Sequence, residues 1–222
     1  RDAQESRGLG DVYKRQTFED AGCFTGFSVR EEGNNVVVTA NYKLGCFDQA
    51  VWTISPDGTA AIDFTYNFSG VVDLMGVMFD YPEDKVLSKR WVGDGPYRVW
   101  QNRLHGPQLG VWENEYNDPI PAESFTYPEF KGYFANVQWM TLETQEGMIS
   151  ICNRTPQNYV GVYQPRDGRD GLLYTFPVTG ISLMKVIPPV RNKVNTTDLI
   201  GPSSQAFWAD GEYGGGITLK FE

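Results

Sequence analysis

The stretch TAAIDFTYNF (Thr59–Phe68) carries an apolar or aromatic side chain at every second position, from Ile62 through Phe64 and Tyr66 to Phe68. A two-residue period gathers those four side chains on one face of an extended chain, and a helix would scatter them. The same signature recurs. NNVVVTANYKL (Asn34–Leu44) is a strand-length run of β-branched and aromatic residues, and QAVWTISPDGTAAID reads as strand, turn, strand. In the turn, Pro56 presets φ, and Gly58 accepts a positive φ. Further strand candidates are LMGVMFDY, GVWENEY, YFANVQWMTLET, GMISICN, YVGVY, GISLMKVI and GGITLKFE, with Thr144–Gly147 as a second hairpin turn. Helical signal is confined to Glu83–Ser88 and Arg98–Leu104, a turn or two each. Many short strands with regular turns predict an all-β chain folded as a large antiparallel sandwich. No internal repeat or low-complexity linker interrupts it, so one domain is expected.

Charge narrows the partners. The 222 residues hold 19 Lys+Arg against 28 Asp+Glu, a formal charge of -9. Binding a phosphate backbone needs clustered Lys and Arg, so nucleic acid is excluded as an expected partner. No apolar run approaches the roughly 20 residues of a membrane helix, and no membrane partner is expected. Cys23, Cys46 and Cys152 have no CxxC spacing, and no metal or other cofactor is expected. Cys23 and Cys46 would pair if their strands were neighbours; the alternative is three buried thiols. His105 is the only histidine. Oligomeric state and compartment stay open.

The N-terminus reads differently from the rest. SRGLGDVYKRQ (Ser6–Gln16) resembles a translated sequencing adapter, since Asp-Val-Tyr-Lys-Arg-Gln translates GAT GTG TAT AAG AGA CAG, a transposon end used to fragment DNA. Residues 1–16 are therefore expected to stand outside the fold as an artefact. The domain is expected to run from 17 to 222, as a fragment of a longer polypeptide.

The most distinctive block is KRWVGDGPYRVWQNRLHGPQLGVWENEYND, Lys89–Asp118. Its Gly-x-Gly-Pro looks too irregular for a plain strand. It is no dinucleotide loop either, because no G-x-G-x-x-G follows and Pro96 blocks the helix entry that such a loop needs. Gly214–Gly216 fails for the same reason, lying in a C-terminal strand. Aromatic rings interleaved with Arg, Asn and Glu suit a sugar, whose C–H faces stack on rings while its hydroxyls seek polar groups. On composition alone, a filled sandwich core with a solvated charged edge is the favoured reading.

RWVGDGPYRVWQNRL followed by YPEFKGYFANVQWMTLET resembles the C-terminal, small-chain domain of family 2 β-galactosidases. Trp91, Gly93, Gly95 and Pro96 match that family's Trp-x-Gly-x-Gly-Pro block. Trp100 and Arg103 match its aromatic-x-x-Arg, and Pro128, Glu129 and Gly132 match its Pro-x-Glu-Asn-Gly loosely. The Arg that usually follows is replaced by GYFANV, and either Gln205 or Trp208 stands where the family presents a Trp to the sugar. Sugar specificity is thus open, and another β-linked glycoside fits equally well.

The resemblance implies a galactose-mutarotase-like β-supersandwich serving a retaining hydrolase of terminal β-D-galactosides. In such enzymes one carboxylic acid protonates the leaving oxygen and a second carboxylate attacks the anomeric carbon. In the family both sit on a (β/α)8 barrel upstream, and no barrel pattern occurs here. The expected partners are accordingly a carbohydrate substrate and the upstream catalytic barrel of the same chain. No catalytic residue is assigned. Trp100, Arg103, Glu129 and Trp208 are the candidate substrate-binding residues.

Two alternatives compete: a stand-alone, non-catalytic carbohydrate-binding module, and an aldose mutarotase or epimerase of the same fold. The latter needs a general acid and base, usually His with Glu, and His105 reads better as a turn residue. Glu113, Glu115 and Asp118 read as solvated edge charges. The sequons at Asn67, Asn153 and Asn195 read as chance matches, and Asp167–Gly171 reads as a surface turn rather than a calcium loop.

Overall fold

The computed structural model describes residues 23–72, 74–79, 81, 85–115, 132–162, 181–189 and 207–222. The expected boundary at Thr17 lies outside them, as do Glu129, Asp118, Asp167–Gly171, Asn195 and Gln205. Twelve strands follow one another among the described residues: β1 (Cys23–Glu32), β2 (Asn35–Lys43), β3 (Phe47–Ile54), β4 (Thr59–Val72), β5 (Met75–Phe79), β6 (Val86–Gly95), β7 (Gln108–Glu115), β8 (Trp139–Thr144), β9 (Gly147–Asn153), β10 (Tyr159–Val162), β11 (Ile181–Val186) and β12 (Phe207–Phe221).

Nine of them form one sheet in the order β1-β2-β3-β4-β12-β9-β8-β6-β7, and β10-β11-β5 form a second. All the pairings are antiparallel. Ile62, Phe64 and Tyr66 of β4 share one buried cluster with Ile217 and Leu219 of β12, Ile151 of β9, Met140 of β8 and Trp91 of β6. The small sheet closes over it with Met75, Val160, Val162, Ile181 and Leu183. Each such side chain, fully buried, contributes about 1.5–3 kcal/mol. This is the expected all-β sandwich.

The turns form as their residues dictate. At β3–β4, Gly58 N–H donates to Ser55 O at 3.1 Å and Thr59 N–H to the Asp57 carboxylate at 3.1 Å, with Gly58 at φ 84°. At β8–β9, Thr144 Oγ1 donates to Gly147 O at 2.7 Å and accepts from Glu146 N–H at 3.1 Å. The C-terminal strand β12 then joins the two halves of the large sheet, pairing with β4 from Phe207 to Lys220 and with β9 from Ile217 to Phe221. Its Gly214–Gly216 run belongs to this ladder. A Cβ on Gly215 would lie 2.8 Å from the Phe64 ring, so a larger residue there would have to displace that ring.

Three expectations are corrected. Val86–Ser88 begins β6 rather than a helix, and Trp100–Arg103 closes as a tight turn with two reciprocal backbone bonds. The Trp-x-Gly-x-Gly block is itself strand: β6 lies between β8 and β7, paired on both sides. None of the three cysteines is in a disulfide, and Cys46 alone of them is buried, because Cys23 lies on the edge strand and Cys152 on the outer face of β9.

Candidate functional site

The candidate residues lie on and beyond the β6–β7 pair. Trp91 and Trp112 oppose each other across the two strands. Trp91 is fully buried, its ring meeting Phe134 edge-on at 4.8 Å, and its Nε1–H donates to Asp94 O at 3.1 Å. The Trp112 Nε1–H is shared between Gly93 O at 3.2 Å and Gln108 O at 3.1 Å. The two indoles therefore bind down the backbone of the strand end that carries Gly93–Gly95. Gly95 is where the Trp112 ring crosses, which explains why no side chain stands there.

Beyond Gly95 the chain turns through Pro96 to Tyr97, whose side chain is 54% exposed, and dives inward at Arg98. Buried Arg98 sets its guanidinium 5.1 Å from the Phe134 ring centroid, and buried Lys89 sets its ammonium 5.8 Å from the same centroid. A ring face attracts both cations. The Gly95 end is bound to the next segment as well. Asp94 N–H donates to Ala135 O at 2.9 Å, and Asn136 Nδ2–H donates to the Asp94 carboxylate at 2.7 Å. Asn136 sits at φ 52°, a left-handed conformation that Asn tolerates better than most residues.

The four predicted binding residues part company. Trp100 is only 2% exposed, packed with Leu74, Val99, Tyr133, Ala135, Met184 and Ile187, and its ring meets Tyr133 at 6.1 Å and 89°. Arg103 is bonded to Trp100 through backbone alone and is exposed. Trp208 is 65% exposed on β12, opposite Val71 of β4. Glu129 lies outside the described residues. Trp100 and Arg103 are thus together in one turn, the first supporting the core beneath and the second facing solvent.

Other candidates read as the sequence suggested. His105 is exposed beside Gly106, which adopts φ 116°. Glu113 is exposed and faces Arg90 across the β6–β7 ladder. Asn153 is different: it is buried, donating to Asn158 O at 3.2 Å and accepting from Thr155 N–H at 3.0 Å.

The sequence model of the protein family described as "Beta galactosidase small chain" matches residues 5–181. The chain belongs to the β-galactosidase small-chain family. The antiparallel two-sheet architecture fits the galactose-mutarotase-like fold of this family. Among curated proteins, none matches the chain. Within this small-chain domain, the Trp-x-Gly-x-Gly-Pro block is a packing device, since Trp91 fills the core and Gly95 admits the Trp112 ring. The sequence reading did not single out Asp94, Tyr97 or Asn136, which lie at or just beyond the Gly95 end of β6. The one sequence signal for them was Tyr97 standing directly after the glycine–proline turn.

Proposed function

We propose that the chain is the C-terminal, cleft-supporting part of a family 2 retaining glycoside hydrolase, a β-galactosidase, acting with a catalytic barrel upstream in the same polypeptide. The observation that carries this reading is the match to the β-galactosidase small-chain family over most of the chain. In this reading the two carboxylates that cleave the glycosidic bond belong to the barrel. The small-chain domain covers one side of the active site and contributes contacts to the leaving sugar. Trp208 and Arg103, both exposed, are the described candidates that offer side chains to it, and Glu129, outside the described residues, stays a candidate from the family motif alone. Trp100 holds the Arg103 turn in place from below.

The test is the locus itself. Recovering the gene upstream of Thr17 and expressing the complete product is expected to give a barrel-containing enzyme that hydrolyses lactose. Removing the small-chain region should abolish that hydrolysis. A complete, barrel-less protein beginning near Thr17 would overturn the reading in favour of a free-standing sugar-binding module.

A further inference from the structure

The Gly95 end of β6 carries more order than a surface corner of a sheet requires. Two indole N–H groups bond to the backbone of Gly93 and Asp94, and the Asn136 amide grips the Asp94 carboxylate at 2.7 Å. Gln138 completes the link, its N–H donating to Val92 O at 2.8 Å and its Nε2–H to Asn136 O at 3.2 Å. Asn136 is held in a left-handed conformation within this net. The corner so held carries the Asp94 carboxylate and the exposed side-chain amides of Asn136 and Gln138, and the exposed Tyr97 ring follows two residues after Gly95. Side chains locked by packing and hydrogen bonds before a ligand arrives are what a binding site needs.

We infer that Tyr97, Asp94, Asn136 and Gln138 form a contact site for a neutral sugar. The chemistry selects that class. A tyrosine ring stacks on the C–H face of a pyranose, a carboxylate accepts from hydroxyls, and amides both donate and accept. The Asn136 amide holds the Asp94 carboxylate through Oδ2, which fixes the direction in which it meets a hydroxyl. The same carboxylate, in a chain of net charge -9, repels uronates and other anionic sugars. The site rests on the carbohydrate reading proposed above and adds to it a location outside the four residues picked from the family motifs.

The test uses the complete enzyme, with Tyr97→Ala and, separately, Asn136→Gly, since glycine adopts the left-handed backbone without strain. Lactose and p-nitrophenyl β-galactoside are the probes. Tyr97→Ala is expected to raise KM for lactose about 5- to 10-fold, the worth of one stacking contact, and by much less for the aryl glycoside. Asn136→Gly should shift it the same way, with melting temperature unchanged in both variants. Unaltered lactose KM in both, or a KM change that tracks a loss of melting temperature, overturns the site. If the complete gene product hydrolyses no galactoside, the functional reading fails first. The chain itself is then titrated with lactose by calorimetry, where Tyr97→Ala binding several-fold more weakly supports the site. Equal binding, or none by the unaltered chain, overturns it.

Discussion

A Cβ added to Gly95 would stand 2.5 Å from Cδ1 of the Trp112 indole, closer than two carbon atoms can approach. The ring cannot retreat freely, because its N–H is bonded to Gly93 O and Gln108 O. Gly95→Ala is therefore expected to destabilise the fold by about 1–3 kcal/mol, the usual cost of overpacking. Urea unfolding measures it, and a double-mutant cycle assigns it: in a Trp112→Leu background the same change should cost far less. An equal cost in both backgrounds would detach the glycine from the indole.

The two tryptophan candidates are expected to fail in different ways. Trp100 is buried in one apolar cluster with Leu74, Val99, Tyr133, Ala135, Met184 and Ile187, so Trp100→Ala should cost about 3–5 kcal/mol of stability. Trp208 is mostly exposed, and Trp208→Ala should stay within about 0.5 kcal/mol of the native protein. In the complete enzyme, Trp208→Ala should raise KM for lactose more than KM for p-nitrophenyl β-galactoside. Equal effects on both substrates would remove Trp208 from the sugar-facing surface.

Acid and alkali should act through separate groups. The Lys85 ammonium bonded to Glu146, with a hydrogen bond from Tyr81, holds the Glu146 carboxyl below its ordinary range, and the Thr59 N–H does the same for Asp57. A carboxyl with a depressed folded-state pKa stabilises the fold above the unfolded pKa, near 4. That stability fades as pH falls through the lower folded value. Glu146→Gln is thus expected to lose less melting temperature than the native chain between neutral pH and pH about 3. Tyr66 behaves oppositely: burial, with Tyr213 and Cys46 nearby, pushes its phenol well above the ordinary range. Its stabilising contribution is complete below the unfolded pKa near 10 and declines as pH rises past it. Tyr66→Phe should flatten the alkaline limb of the stability profile, and an unchanged limb would refute the assignment.

Much of the fold was legible because the strands that cross the core carry a clean two-residue alternation. Ile62, Phe64 and Tyr66 were read as one buried face and are one, and the Pro56–Gly58 and Thr144–Gly147 turns formed where their residues required. β6 was misread because Gly93 and Gly95 look like breakers in isolation. Their reason is the Trp112 ring and the Ala135–Val137 backbone, which are near in space but distant in sequence. β1 escaped notice because Phe24, Phe27 and Val29 alternate imperfectly, with a bulge at Phe24–Gly26, and remain exposed on an edge strand. The site was less legible. Trp100 and Trp208 are the same residue type, and only tertiary packing tells the supporting ring from the displayed one.

Asn153 gives a last test, of a sequon that folding removes. Asn-Arg-Thr satisfies the acceptor pattern, yet Asn153 is buried, with its amide nitrogen on Asn158 O and its amide oxygen on Thr155 N–H. The Thr155 hydroxyl is in turn occupied by Gly216 N–H of β12 at 2.9 Å, and Arg154 reaches past β12 to Asp63 of β4 at 2.9 Å. The tripeptide is a clasp between β9 and the centre of the large sheet. Asn153→Ala should leave buried backbone groups unpaired and cost about 1–3 kcal/mol, whereas Asp63→Ala, breaking a half-exposed ion pair, should cost about 1 kcal/mol at most. Secreted from a glycosylating host, the folded chain should carry no glycan at Asn153 by peptide mass spectrometry. A glycan there on natively folded protein would show that the clasp opens, and would contradict its structural role.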